Sequence, residues 1–112
     1  MNKSKLSKHT KSYHNELIAA LHDPKECYAY LQVALDEYQN DNDADALLIA
    51  LRNIAEARGG ITKLAKKTHL NRQNLYKALS QTGNPRLDTF GMILKGLGFH
   101  LSVQPNTAAS IF

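Results

Sequence analysis

A single cysteine, Cys27, is the only thiol in this sequence, which excludes an internal disulfide and agrees with a reducing compartment. Nowhere does an apolar run approach the roughly eighteen residues that a bilayer-spanning helix needs, and the N-terminus lacks the apolar core of a signal peptide. A cytoplasmic protein with no membrane partner is therefore expected. Glycine and proline are scarce, six and three among 112 residues, while 43% of the chain is hydrophobic. That balance favours one mostly helical domain with a modest core, in a chain too short for two. Signatures of catalysis are missing as well. The five histidines, His9, His14, His22, His69 and His100, have no H-x-x-x-H or H-E-x-x-H spacing and no cysteine pair to join them. No G-x-S-x-G occurs, and Gly59-Gly60 is not followed by the G-K-[ST] of a phosphate-cradling loop. No enzyme, metal site or cofactor is expected. Cys27 reads as a small buried hydrophobe, since no cationic cluster in its neighbourhood would activate the thiol.

Acidic residues are the last scarce ingredient, and only in one half of the chain. From Met1 to Ala57 six Lys and Arg face nine Asp and Glu, a net of −3, whereas from Arg58 to Phe112 eight basic residues face Asp88 alone, a net of +7. A surface so poor in negative charge attracts a polyanion, and phosphate neutralisation supplies most of the affinity of DNA-binding modules. A basic face that is merely well solvated would have the same composition, so the position of the charge matters.

That charge coincides with the stretch Ile61 to Leu79, I-T-K-L-A-K-K-T-H-L-N-R-Q-N-L-Y-K-A-L, which has the form of a helix-turn-helix over about 62–80. Leu64, Ala65 and Thr68 make one buried stripe, and Leu75, Ala78 and Leu79 make another. Leu70 is the lone apolar residue between them, and Asn71 is a good N-cap for the second helix. Asn71, Arg72, Gln73, Tyr76 and Lys77 point away from the stripe. These amide and cationic side chains suit guanine, adenine and phosphate in a major groove.

The rest of the chain supplies the support. Residues 1–12, with Lys3, Lys5, Lys8 and Lys11 and only Leu6 to bury, read as a flexible basic tail. Leu17, Ile18 and Leu21 mark a short helix over Tyr13 to Leu21. Asp23-Pro24-Lys25-Glu26 opens the next, with Asp23 as cap, and Cys27, Leu31, Ala34, Leu35 and Tyr38 form its core face. Gln39 to Asp45 is an acidic connector whose Asp43 and Asp45 suit the positive end of a helix over about Ala44 to Arg58. That helix buries Leu47, Leu48, Leu51, Ile54 and Ala55 and stops at Gly59-Gly60. After a turn at Thr82-Gly83-Asn84-Pro85, Leu87, Phe90, Ile93, Leu94 and Leu97 pattern a last helix, weakened by Gly91 and Gly96 and stopped by Gly98. Phe99 to Val103 alternates and predicts a short strand with Phe99, Leu101 and Val103 inward. Its partner is either the same strand of a second copy, giving a homodimer, or none, with the segment lying on the helices. Residues 13–105 thus make a single helical DNA-binding domain, and 106–112 a C-terminal tail.

Most of the chain also resembles a known family. The segments Y-L-Q-V-A-L-D-E, L-A-K-K-T-H-L-N-R-Q-N-L-Y-K-A-L-S and G-N-P-R-L-D-T-F resemble bacterial addiction-module antidote proteins, HigA-like antitoxins with a Cro/repressor-type helix-turn-helix, over roughly Ser12 to Pro105. With the patterns above, the expected fold is a mainly all-α compact bundle holding a Cro/repressor-type helix-turn-helix and one short C-terminal strand. The resemblance implies an antidote that binds a cognate RelE/ParE-like toxin and, as a homodimer, represses the operator of its own operon. Carried over by position, the turn and reading helix fall on Asn71, Arg72, Gln73, Tyr76, Lys77 and Ser80. Lys63, Lys66, Lys67, Lys77 and Arg86 are then candidates for phosphate contacts, with Arg72 and Gln73 at base edges. Two positions depart from the pattern. His69 stands where such corners often have Gly and must accept a left-handed backbone, and Arg86 stands where Ser or Thr often caps the last helix. Two other readings stay open: a solitary phage-type repressor, and a protein-binding module that presents Asp36, Glu37, Asp41, Asp43 and Asp45 to a basic partner.

Overall fold

Two helix starts, at Pro24 and Arg72, follow the capping residues Asp23 and Asn71 that the sequence offers. The computed structural model describes residues 3–80 and 84–106, with side chains from residue 11 onward in those ranges. Among them are six helices, α1 (Lys3–Ala20), α2 (Pro24–Asp41), α3 (Asp45–Ala57), α4 (Ile61–Thr68), α5 (Arg72–Ala78) and α6 (Leu87–Gly96). The leader expected as a tail is helical from Lys3, because no Gly or Pro precedes Pro24 to stop the helix. The tail expected beyond Asn106 and the Thr82-Gly83 half of the expected turn lie outside the described residues.

Between α1 and α2 the Asp23 side chain accepts the Lys25 N–H at 3.0 Å and Pro24 occupies the first turn, as the sequence predicts. Helix α2 runs further than expected, to Asp41. It ends when Asn42 turns left-handed, at φ 57°, and donates its N–H to the Tyr38 carbonyl at 2.7 Å. Two successive aspartate turns then carry the chain into α3. Asp41 Oδ1 accepts the Asp43 N–H at 2.8 Å, and Asp43 Oδ1 accepts the Asp45 N–H at 3.0 Å.

Helix α3 is the hub of the core. Leu47, Leu48, Ala50, Leu51, Ile54 and Ala55 are all buried on it, and α1, α2 and α4 pack around it. Cys27, Leu31 and Ala34 of α2 meet α3, and Leu21 closes the α1 end. Full burial of each such Leu or Ile is worth about 1.5–3 kcal/mol. At the rim the Asn53 amide donates to the Tyr30 hydroxyl at 2.9 Å, and His14 Nε2 lies 2.7 Å from Glu56 Oε2.

Three sequence expectations are corrected. Tyr38, placed on the core face of α2, is 37% exposed, and Leu87, placed in the stripe of α6, is 76% exposed, both bordering one open cleft with Leu47 and Leu48 of α3. The C-terminal β-strand is absent. Phe99 is half-buried and donates its N–H to the Leu94 carbonyl at 2.8 Å, but Leu101 and Val103 face solvent and residues 99–105 form no ladder. Every described neighbour of this segment within the chain is a helix, whose backbone groups are already paired, so no partner strand is available to it within one chain. It lies instead along α2, bordering a groove with Tyr28, Leu31, Gln32 and Leu35.

Candidate nucleic-acid interface

Helix α4 starts straight after Gly59 and Gly60, whose φ values of 108° and 93° only glycine adopts at little cost. Leu64 and Thr68 are its buried residues. Thr68 does more than fill space. Its hydroxyl donates to the Leu64 carbonyl at 2.9 Å and accepts the Leu70 N–H at 3.3 Å, so one buried side chain ties the end of α4 to the corner. His69 takes the left-handed conformation that its position demands, φ 61° and ψ 16°, and donates its N–H to the Ala65 carbonyl at 3.0 Å. The chain then extends at Asn71, whose Oδ1 accepts the Asn74 N–H at 2.7 Å and starts α5.

Helix α5 is held from inside by Leu75 and Leu79, 0% and 1% exposed, and by half-buried Ala78. Its C-terminal end is held from α3, where the Arg52 guanidinium donates to the Leu79 carbonyl. At about 100° per residue Gln73 and Lys77 fall opposite Leu75, with Arg72 and Tyr76 on one flank. All four are exposed, and no intramolecular hydrogen bond engages their side chains among the described residues. This exposed row of donors and an amide, on a helix pinned at both ends, can reach into a groove without ordering itself first.

The family model that matches the chain is that of a probable addiction module antidote protein, over residues 11–105. The chain belongs to this antidote family. An uncharacterized protein of Haemophilus influenzae is 35% identical over 79 residues, which cover 70% of this chain and 80% of the relative. No solved structure matches. In this chain the matched span takes in all six helices except the first part of α1.

The remaining candidate residues are not all gathered at α5. Lys63 and Lys66 are exposed on α4, Lys63 with its stem folded over Gly59. Lys67 lies on the flank of α4 that meets α6 and borders, with Arg58 and Lys95, a cavity of about 350 Å³. Arg86 precedes α6 without capping it by its side chain and pairs with Asp88 at 3.4 Å, both well exposed, a contact worth little. Ser80 is half-buried, and its hydroxyl donates to the Lys77 carbonyl at 2.9 Å. The sequence reading missed Arg52, whose bond to Leu79 joins residues far apart in the chain, and it took Thr68 as mere filling. It also missed Gly96. A Cβ there would stand 2.7 Å from both Leu64 Cδ1 and Thr68 Cγ2, so the position reckoned a weakness of α6 is the one that lets α6 close on α4.

Proposed function

We propose that this antidote is a HigA-like, Cro/repressor-type DNA-binding protein that reads the operator of its own operon with α5, acts as a homodimer, and neutralises a RelE/ParE-like toxin. One observation carries the DNA reading: Arg72, Gln73, Tyr76 and Lys77 project, unengaged, from a helix whose inner face is buried and whose two ends are tied down by Asn71 and Arg52. The amide of Gln73 suits the N6/N7 edge of adenine and the guanidinium of Arg72 the O6/N7 edge of guanine, each pairing worth about 1–3 kcal/mol of discrimination. Lys63, Lys66 and Lys77 would then meet phosphate oxygens, in a half of the chain with a single acid, Asp88. The toxin enters through family membership, since an addiction-module antidote exists to restrain a partner. A two-fold arrangement rests on the resemblance, and paired reading helices would then meet half-sites about one helical turn apart on the same side of the duplex.

A mobility-shift titration of the full chain on the DNA upstream of its gene, against scrambled duplex of equal length, tests the reading. Affinity for the upstream DNA at least about a hundredfold above that for the scramble is expected at moderate salt. Equal affinity for both would overturn the DNA half of the reading.

A further inference from the structure

The face of the molecule made by the α2–α3 connector carries charge of the other sign. Around the connector that charge is Glu37, Asp41, Asp43 and Asp45, and from Glu26 to Leu51 the chain has no Lys, Arg or His. All four are exposed, and none is in an ion pair among the described residues. Asp41 and Asp43 use one oxygen each to hold the turns into α3, which fixes the carboxylates in place without neutralising them.

Directly beside this strip is an apolar cleft of about 280 Å³, bordered by Tyr38, Ala44, Leu47, Leu48, Leu87 and Phe90. Helix α6 packs closely on α4 at Gly96, and at its other end Leu87 and Phe90 border the cleft together with Tyr38, Leu47 and Leu48. Leu87 at 76% exposure and Tyr38 at 37% form the lips of the cleft. An apolar slot with a fixed, unneutralised acidic border matches a specific kind of surface: a projecting apolar side chain among Lys and Arg. A second copy of this chain fits less well, since the same acidic strip would have to approach the slot of its mate.

We propose that this cleft and its acidic border are the docking surface for a basic protein partner, which inserts an apolar side chain between α3 and α6. The proposal rests on the antidote reading, in which such a partner is the toxin. It assigns toxin and DNA to different faces, the partner to α2, α3 and the first turn of α6, and the duplex to α5, so that both can be held at once.

The test uses the full chain and the purified product of the reading frame next to its gene, with affinity measured by calorimetry. Two variants leave the fold intact. Leu87→Ser removes an exposed apolar group, and the triple change Asp41→Asn, Asp43→Asn, Asp45→Asn keeps the acceptor oxygens of both turns while removing the charge. Each is expected to weaken partner binding about tenfold or more, the triple variant also flattening its salt dependence, with upstream DNA bound as tightly as by the parent. Partner binding at unchanged affinity and salt dependence in both variants would overturn the docking surface and leave the antidote reading standing. Failure of the parent chain to bind the neighbour's product would overturn both. A parent dimer that Leu87→Ser splits into monomers would assign the cleft to a second copy instead.

Discussion

Arg52 on α3 donates its guanidinium to the carbonyl of Leu79, the residue that closes α5. A cation at a helix C-terminus satisfies a free carbonyl and offsets the negative end of the helix dipole. Here it also ties the helix proposed to read DNA to the centre of the core. Replacing Arg52 by Met keeps the apolar stem and removes the bond. We expect a loss of about 1.5–2 kcal/mol, the lower part of the range for a charged hydrogen bond because Arg52 is only partly buried. Urea unfolding should show a lower midpoint at unchanged slope, and an unmoved midpoint would mean that the bond contributes nothing.

Gly96 offers a test in which two effects have opposite signs. Gly→Ala within a helix ordinarily stabilises by roughly 1 kcal/mol. At this position the added methyl meets Leu64 and Thr68 at 2.7 Å, and forcing extra volume into packed contacts costs typically about 1–3 kcal/mol. Gly96→Ala should therefore lower the melting temperature. A rise would mean that α6 can move off α4 freely.

Asn71 separates capping from recognition. Asn71→Ala should destabilise by about 1 kcal/mol through loss of the bond to the Asn74 N–H. Asn71→Asp keeps an acceptor at the same place and should unfold like the parent, yet bind DNA more weakly because a carboxylate then faces phosphate. Parent-like DNA affinity in the aspartate variant would place the start of α5 away from the duplex.

Specificity and bulk affinity should divide between α5 and α4. Gln73→Ala or Arg72→Ala should relax preference at one or two base pairs, measured by selection on randomised operator positions. Lys66→Ala should weaken all sequences alike and reduce the slope of log affinity against log salt by about one. Lys67→Ala should change that slope less than Lys66→Ala, since Lys67 stands beside α6 with Arg58 and Lys95. Equal slope changes would show the two lysines meeting phosphate alike.

Much of the local content was legible in the residues: most helices from Tyr13 onward, where Asp23 and Asn71 start two of them, where Gly59 stops one, and that His69 must turn left-handed, though not the helix from Lys3 or the length of α2. Each legible feature depends on neighbours within about four positions, and capping, periodicity and φ preference act over that range. Tertiary structure decided what depends on a partner distant in sequence. Phe99 to Val103 alternates like a strand, yet alternation only prepares a face, and with helices alone around it no ladder forms. Leu87 continues the stripe of α6 and still faces water, because it borders an open cleft with Tyr38, Leu47 and Leu48 and meets no packed neighbour among the described residues. Arg52 gave no sign of its role, since a lone cation in an amphipathic helix has a meaning only once the carbonyl of Leu79 is brought to it.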